Sequence, residues 1–132
     1  MSIFLILLAA GESKRLKFAE PKPYIKVKNR TLIEHNIYKI HNIKAIKKIV
    51  IVYNKKHRKK LDNLNTKNVI KIAGGKTRAQ STLFALKGIQ NLNCSKVLIH
   101  DAARPNTSII LIKKIIHSLK LHNAVIPTIK VK

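Results

Sequence analysis

Apolar runs of strand length alternate along this chain with segments whose apolar residues recur at helical spacing. Ile3–Leu8 (IFLILL) is the first strand-like run, Lys48–Tyr53 (KIVIVY) the second, Val69–Ala73 the third and Lys96–His100 (KVLIH) the fourth. Ala124–Val131 reads as the start of a fifth. Between the first two runs, Thr31 with Glu34 three residues later forms a capping box, and Leu32, Ile33, Ile37, Ile40 and Ile43 then follow a helical period. Lys55–Leu64 is polar and basic and predicts a short exposed helix. Thr77–Ile89 predicts a helix with Leu83, Leu86 and Ile89 on its inner face. Ser108–Leu121 predicts another, with Ile112, Ile115, Ile116 and Leu119 inward and Lys113, Lys114 and Lys120 outward. The order β-α-β-α-β-α-β-α-β implies an α/β domain, with a mostly parallel sheet and helices on both faces.

At 132 residues the chain has the length of one domain, spanning residues 1–132. Hydrophobic residues make up 45%, enough to build a core, so a disordered tail is excluded. The run Ile3–Ala10 has no basic flank before it and is far too short to span a bilayer, so it reads as a buried strand. Cys94 is the single cysteine, which leaves no intramolecular disulfide and no thiolate cluster for zinc. A reducing, cytoplasmic setting is the expectation. Because Ile126–Lys132 resembles a strand that has only begun, the domain is expected to be incomplete at its C-terminus.

The formal net charge of +23 admits two readings. One is binding to nucleic acid or an anionic surface. The other is compositional drift, since lysine, isoleucine and asparagine are abundant together and exposed helix positions default to lysine. The cations are spread along the chain, with no arginine-rich block and no aromatic-interleaved patch, and this favours the second reading. Either way, the field attracts polyanionic substrates.

Three segments collect chemistry at the ends of strands, where open α/β sheets bind ligands. In Leu8–Tyr24 (LAAGESKRLKFAEPKPY), Ala9, Ala10 and Gly11 follow the first strand directly. Small residues there let backbone N–H groups approach an anion, and glycine allows φ above zero. Arg15 and Lys22 follow, with Pro21 fixing the backbone before Lys22. The spacing is neither a Walker loop nor a dinucleotide fingerprint. In His100–Pro105 (HDAARP), Asp101 at a strand end suits a magnesium ligand, and Arg104 can pair with it or with a phosphate. A capping role for Asp101 and a structural ion pair for Arg104 are the plain alternatives. His100 reads as a packed histidine, since no second histidine stands at metal spacing. In Gly74–Leu86 (GGKTRAQSTLFAL), the glycines allow close approach to a planar base, Ser81 can hydrogen-bond it and Arg78 can order the loop. An ordinary turn with Thr77 as N-cap explains the same residues.

Taken in this order and spacing, the three segments, together with TLIEHNIYKI at Thr31–Ile40, resemble the 2-C-methyl-D-erythritol 4-phosphate cytidylyltransferases of the non-mevalonate isoprenoid pathway. The resemblance runs from Ile3 to the last residues. It implies a three-layer, Rossmann-like nucleotidyltransferase fold. It also implies a reaction in which a phosphate oxygen of methylerythritol phosphate attacks the α-phosphorus of CTP and pyrophosphate leaves. In this likeness Arg15 and Lys22 stabilise the pentacoordinate phosphorus and the leaving group. Asp101 binds Mg²⁺ or another divalent cation. Ala9, Ala10, Gly11, Gly75 and Ser81 hold the nucleotide, and Arg78 and Arg104 support the site.

Two local departures stand out. Ser13 occupies a position where the family commonly has glycine, and Lys76 one where an acid often follows the double glycine. A larger departure is the lack of the family's later part, which carries an Asp-Thr motif, a dimerising arm and a further acid and lysine. The resemblance therefore implies a nucleotide-binding part whose family forms homodimers through an arm absent here. Weak CTP binding and poor or no turnover are expected of these 132 residues. A cytidylyltransferase for another polyol phosphate such as ribitol 5-phosphate, a basic nucleic-acid-binding module and an inactive remnant are the alternatives. No membrane association is expected, and nucleic acid is a poor fit to a carboxylate flanked by glycine and arginine segments.

Overall fold

The structure is a computed structural model and describes residues 1–12, 20–64 and 67–131. Strand β1 (Ile3–Ala9) is apolar at every position and buried on both faces, as a central strand of a parallel sheet must be. The hairpin β2 (Lys26–Val27) and β3 (Arg30–Thr31) precedes helix α1 (Leu32–Ile40). Then come β4 (Ile46–Tyr53), 3-10 turns over Lys55–Leu61, β5 (Val69–Ala73), α2 (Arg78–Ile89), β6 (Lys96–Asp101) and α3 (Ile109–Leu119). The main sheet is all parallel, in the order β5-β4-β1-β6.

Alternation along β1 sends its side chains into two cores. Ile3, Leu5, Leu7 and Ala9 pack with Ile49 and Ile51 of β4 against Ile33 and Ile40 of α1, Ile116 of α3 and Leu61. Phe4 and Ile6 pack with Val50 and Val52 against Ala85 and Ile89 of α2 on the opposite face. The result is the three-layer α/β arrangement that the alternation implies. The α1 start is a full capping box. The Glu34 amide donates to Thr31 Oγ1 at 3.1 Å, and the Thr31 amide donates to Glu34 Oε1 at 3.2 Å. The β2–β3 hairpin turns on Lys28 and Asn29, both with positive φ (50° and 65°), the geometry of a tight two-residue turn.

Three expectations need correction. Ala124–Val131 forms no strand. It makes no ladder with β6, Pro127 lacks the N–H that a ladder needs, and Ile126, Ile129 and Val131 stay exposed. The basic segment after β4 is short and mostly exposed as expected, but its helix is of the 3-10 type, ends at Leu61 and is kinked at His57, where φ is −115°. On α2 the buried stripe is Ser81, Ala85 and Ile89, while Leu83 and Leu86 face solvent.

The connections set the place of the site. From β1 the chain passes through α1 to β4 on one side. From β5 it crosses by way of α2 to β6 on the other side of β1. Connections diverging from neighbouring strands open a crevice at their C-terminal ends. In the β1–β6 register Leu8 lies opposite Asp101.

Candidate nucleotide site

A cleft of about 580 Å³ lies at this switch point, within the size range of small-molecule sites. Its floor is the end of β1, Ala10 and Gly11. One wall is the β5–α2 turn with Gly75, Lys76, Arg78 and Ser81, and the other is the loop after β6 with Asp101 and Arg104. Lys22 closes it from the 3-10 turn Lys22–Tyr24. Eight of the residues singled out in the sequence thus meet in one cleft: Ala10, Gly11, Lys22, Gly75, Arg78, Ser81, Asp101 and Arg104. Ala9 does not reach it, because strand alternation turns its methyl into the α1-side core. Arg15 lies outside the described residues.

Asp101 is the centre of charge. Arg78 Nε and Nη2 donate to its Oδ1 at 3.3 and 3.2 Å, and Arg104 Nε stands 3.4 Å from Oδ2. These contacts are long for charge-assisted bonds, which run nearer 2.8 Å. The carboxylate is therefore held without being saturated, since its two oxygens offer about four acceptor sites. Both arginine side chains are well exposed to the cleft and to solvent. Among the described residues no three His, Cys, Asp or Glu side chains cluster as a metal cage. One carboxylate suits a magnesium ion that keeps its waters and shares substrate phosphates.

The β5–α2 turn is built from behind. Ser81 is buried, and its Oγ accepts from the Gly75 amide at 3.1 Å. Gln80 Oε1 accepts from the Lys76 amide at 2.8 Å, and Thr77 Oγ1 accepts from the Gln80 amide at 3.0 Å. These bonds fix the path of the turn beside the cleft. Gly74 has no room for a side chain, as a Cβ there would lie 2.4 Å from the Ala10 Cβ and 2.8 Å from Ser81 Oγ. That contact brings the floor and one wall of the cleft together. Gly11 differs from expectation. No described glycine has positive φ, and a Cβ at Gly11 would meet nothing within 4 Å.

Other residues of the site are given no role by the sequence pattern. Asn54 lines the cleft, and its Nδ2 donates to the Ala10 carbonyl at 3.2 Å. Glu12 lines it too and lies 3.8 Å from Lys56. Asn36, Lys39 and Gln80 act from behind the walls. The one sequence signal for Asn36 is a polar residue at an inward helix position. His100 is half-buried and its Nε2 donates to the Arg104 carbonyl at 2.7 Å, a structural role that fixes a proton on Nε2.

Comparison with known proteins follows the same lines. The profile of the family IspD, 2-C-methyl-D-erythritol 4-phosphate cytidylyltransferase, matches residues 3–132. A bifunctional enzyme IspD/IspF of Pelagibacter ubique is 48% identical over 130 residues, covering 98% of this chain and 35% of that protein. The 2-C-methyl-D-erythritol 4-phosphate cytidylyltransferase of Wigglesworthia glossinidia brevipalpis is 42% identical over 105 residues, covering 78% of this chain and 45% of that one. Among solved structures, 4-diphosphocytidyl-2C-methyl-D-erythritol synthase from Anaerococcus prevotii superposes with a TM-score of 0.71 at 27% identity, over 90% of this chain and 51% of its own. The chain therefore spans 35% to 51% of the length of these relatives. No helix among the described residues is long and apolar enough to cross a membrane.

Proposed function

Because this chain belongs to the 2-C-methyl-D-erythritol 4-phosphate cytidylyltransferase family, we propose that its cleft takes CTP with a divalent cation and serves cytidylyl transfer to methylerythritol phosphate. The observation that carries this reading is the convergence of Arg78 and Arg104 on Asp101 at the switch point, beside the glycine turn and in a cleft that Lys22 also lines. A phosphate oxygen of the acceptor forms a bond to the α-phosphorus, the bond from that phosphorus to the bridging oxygen breaks, and pyrophosphate departs. Little covalent chemistry is asked of the protein, so positioning and charge neutralisation dominate. Lys22, with Arg15 in the neighbouring segment, offsets the charge of the triphosphate and leaving group. The β5–α2 turn, with Gly75 and Ser81 lining the cleft, would hold the base. Asp101 would hold Mg²⁺ together with phosphate oxygens, and the metal would supply charge neutralisation at the α-phosphate. Because no preformed cage exists among the described residues, metal and nucleotide should bind together.

Calorimetric titration of the chain with CTP, with and without Mg²⁺, tests this reading, with ATP and Asp101→Ala as controls. CTP uptake that needs the metal and weakens at least tenfold in the variant is the expected result, a loss of about 1.4 kcal/mol or more. A folded chain that takes up no CTP at any metal concentration would overturn it.

A further inference from the structure

Apart from the hydroxyl of Tyr24, the buried polar side chains among the described residues are those of Asn36 and Ser81. A buried polar side chain is costly unless it is hydrogen-bonded, so its partners show what it is for. Ser81 holds one wall of the cleft through the Gly75 amide. Asn36, on α1, reaches the other wall. Its Nδ2 donates to the Ala102 carbonyl at 2.9 Å and to Leu32 O of its own helix at 3.0 Å. Ala102 follows Asp101 directly and is itself fully buried. The Ala102 amide donates to Leu8 O of β1 at 3.0 Å. The Ala102 residue is thus held by the central strand through its N–H and by α1 through its carbonyl.

One turn further along the same face of α1, Lys39 Nζ donates to the carbonyls of Pro105 and Thr107, the latter at 2.7 Å. Residues three apart on a helix point the same way, so one helix face addresses the whole loop. With the Arg104 amide on Asp101 O and His100 Nε2 on Arg104 O, the carbonyls of residues 101, 102, 104, 105 and 107 all have donors. A half-buried lysine that spends its ammonium on two backbone carbonyls is placed to hold that backbone.

We propose that Asn36 and Lys39 are positioning residues that lock the loop carrying Asp101 and Arg104, so that both side chains face the cleft in one arrangement. The inference rests on the nucleotide reading of that cleft for its purpose, though not for its geometry. A site whose groups are held by a rigid backbone loses less ordering entropy when a ligand binds.

The test uses Asn36→Leu, Lys39→Met and Lys39→Arg in the full 132-residue chain. Amide hydrogen exchange without ligand is read at Ala102 and Arg104 and, as a core reference, at Val50 and Ile51 of β4. Metal-dependent CTP affinity is read alongside. The expected result is faster exchange at Ala102 and Arg104 than at β4 in Asn36→Leu and Lys39→Met. CTP affinity should be roughly five- to tenfold weaker in both, the scale of one lost hydrogen bond. Lys39→Arg, which keeps donors at that reach, should recover most of both. Exchange that rises equally in loop and core would mean a purely structural role and overturn the proposal. So would a loosened loop with unchanged CTP affinity. Failure of the unsubstituted chain to take up CTP would strike the nucleotide reading instead, and the exchange pattern alone would then decide whether the lock exists.

Discussion

At the scale of single residues, Gly11 and Gly74 separate what a ligand needs from what the fold needs. Gly74 sits where the floor and one wall touch, so Gly74→Ala drives a methyl into Ala10 and Ser81. Overpacking of this kind costs about 1–3 kcal/mol, and chemical denaturation should register that loss. Gly11 has open space and an ordinary φ, so Gly11→Ala should leave stability equal or higher by about 0.5 kcal/mol. If the β1 end is where a nucleotide lies against backbone, the same change should still weaken CTP binding. An unchanged affinity would show that the ligand stays clear of this turn. Tyr24 offers a second residue-scale case. Its ring is buried and its hydroxyl has no hydrogen-bond partner among the described residues. Burial pushes its pKa up to about 12. Between pH 10 and 12 the unfolded chain releases this proton and the folded chain keeps it, so stability falls as pH rises through that window, by about 2–3 kcal/mol at its end. Burial lowers the Lys39 pKa, which acts with the opposite sign: stability from that group rises as pH climbs toward its ordinary value of 10.5. Tyr24→Phe should therefore flatten the alkaline loss in urea midpoints and cost nothing at neutral pH, where the lone hydroxyl is a penalty. A steeper alkaline loss in the variant would contradict this.

At the scale of elements, the central strands, α1, α3 and the cleft walls were legible because each carries a local signal. Continuous apolar runs mark β1 and β4, and the Thr31–Glu34 capping box marks the start of α1. The motif segments could be placed because strand ends in an α/β sheet converge on one crevice. What stayed hidden depends on partners distant in sequence. Leu83 and Leu86 look like a core stripe, yet α2 approaches the sheet so closely that the small residues Ser81 and Ala85 form the contact. Ala124–Val131 has strand composition, but a strand exists only through its ladder, and composition does not supply one. The β2–β3 hairpin rests on Lys28 and Asn29 at positive φ, with no glycine to announce the turn. Asn36 and Lys39 bond to carbonyls 66 and 68 residues away, a pairing that no periodicity reveals.

At the scale of the whole molecule, charge is the dominant unbalanced quantity. Twenty-eight lysines and arginines face five acids, Glu12, Glu20, Glu34, Asp62 and Asp101. Those acids are not spread evenly. Glu12 and Asp101 line the cleft, Glu20 pairs with Lys60 at 2.6 Å two residues before Lys22, and Glu34 caps α1. The rest of the surface is largely uncompensated cation, which repels itself in the compact state and attracts a triphosphate from a distance. Both effects weaken with salt, since the screening length falls to about 10 Å at 0.1 M. Their consequences run in opposite directions. Raising KCl from about 20 to about 300 mM should raise the thermal midpoint, because relief of repulsion outweighs exposed ion pairs worth at most about 1 kcal/mol each. Over the same range CTP affinity should fall, because the attracting field is screened while the local contacts of Asp101, Arg78 and Arg104 persist. Melting curves and titrations on one preparation check both slopes. A thermal midpoint that drops with salt would mean that the few acids, placed beside the cleft and at the helix cap, contribute more to the fold than the excess cations take away.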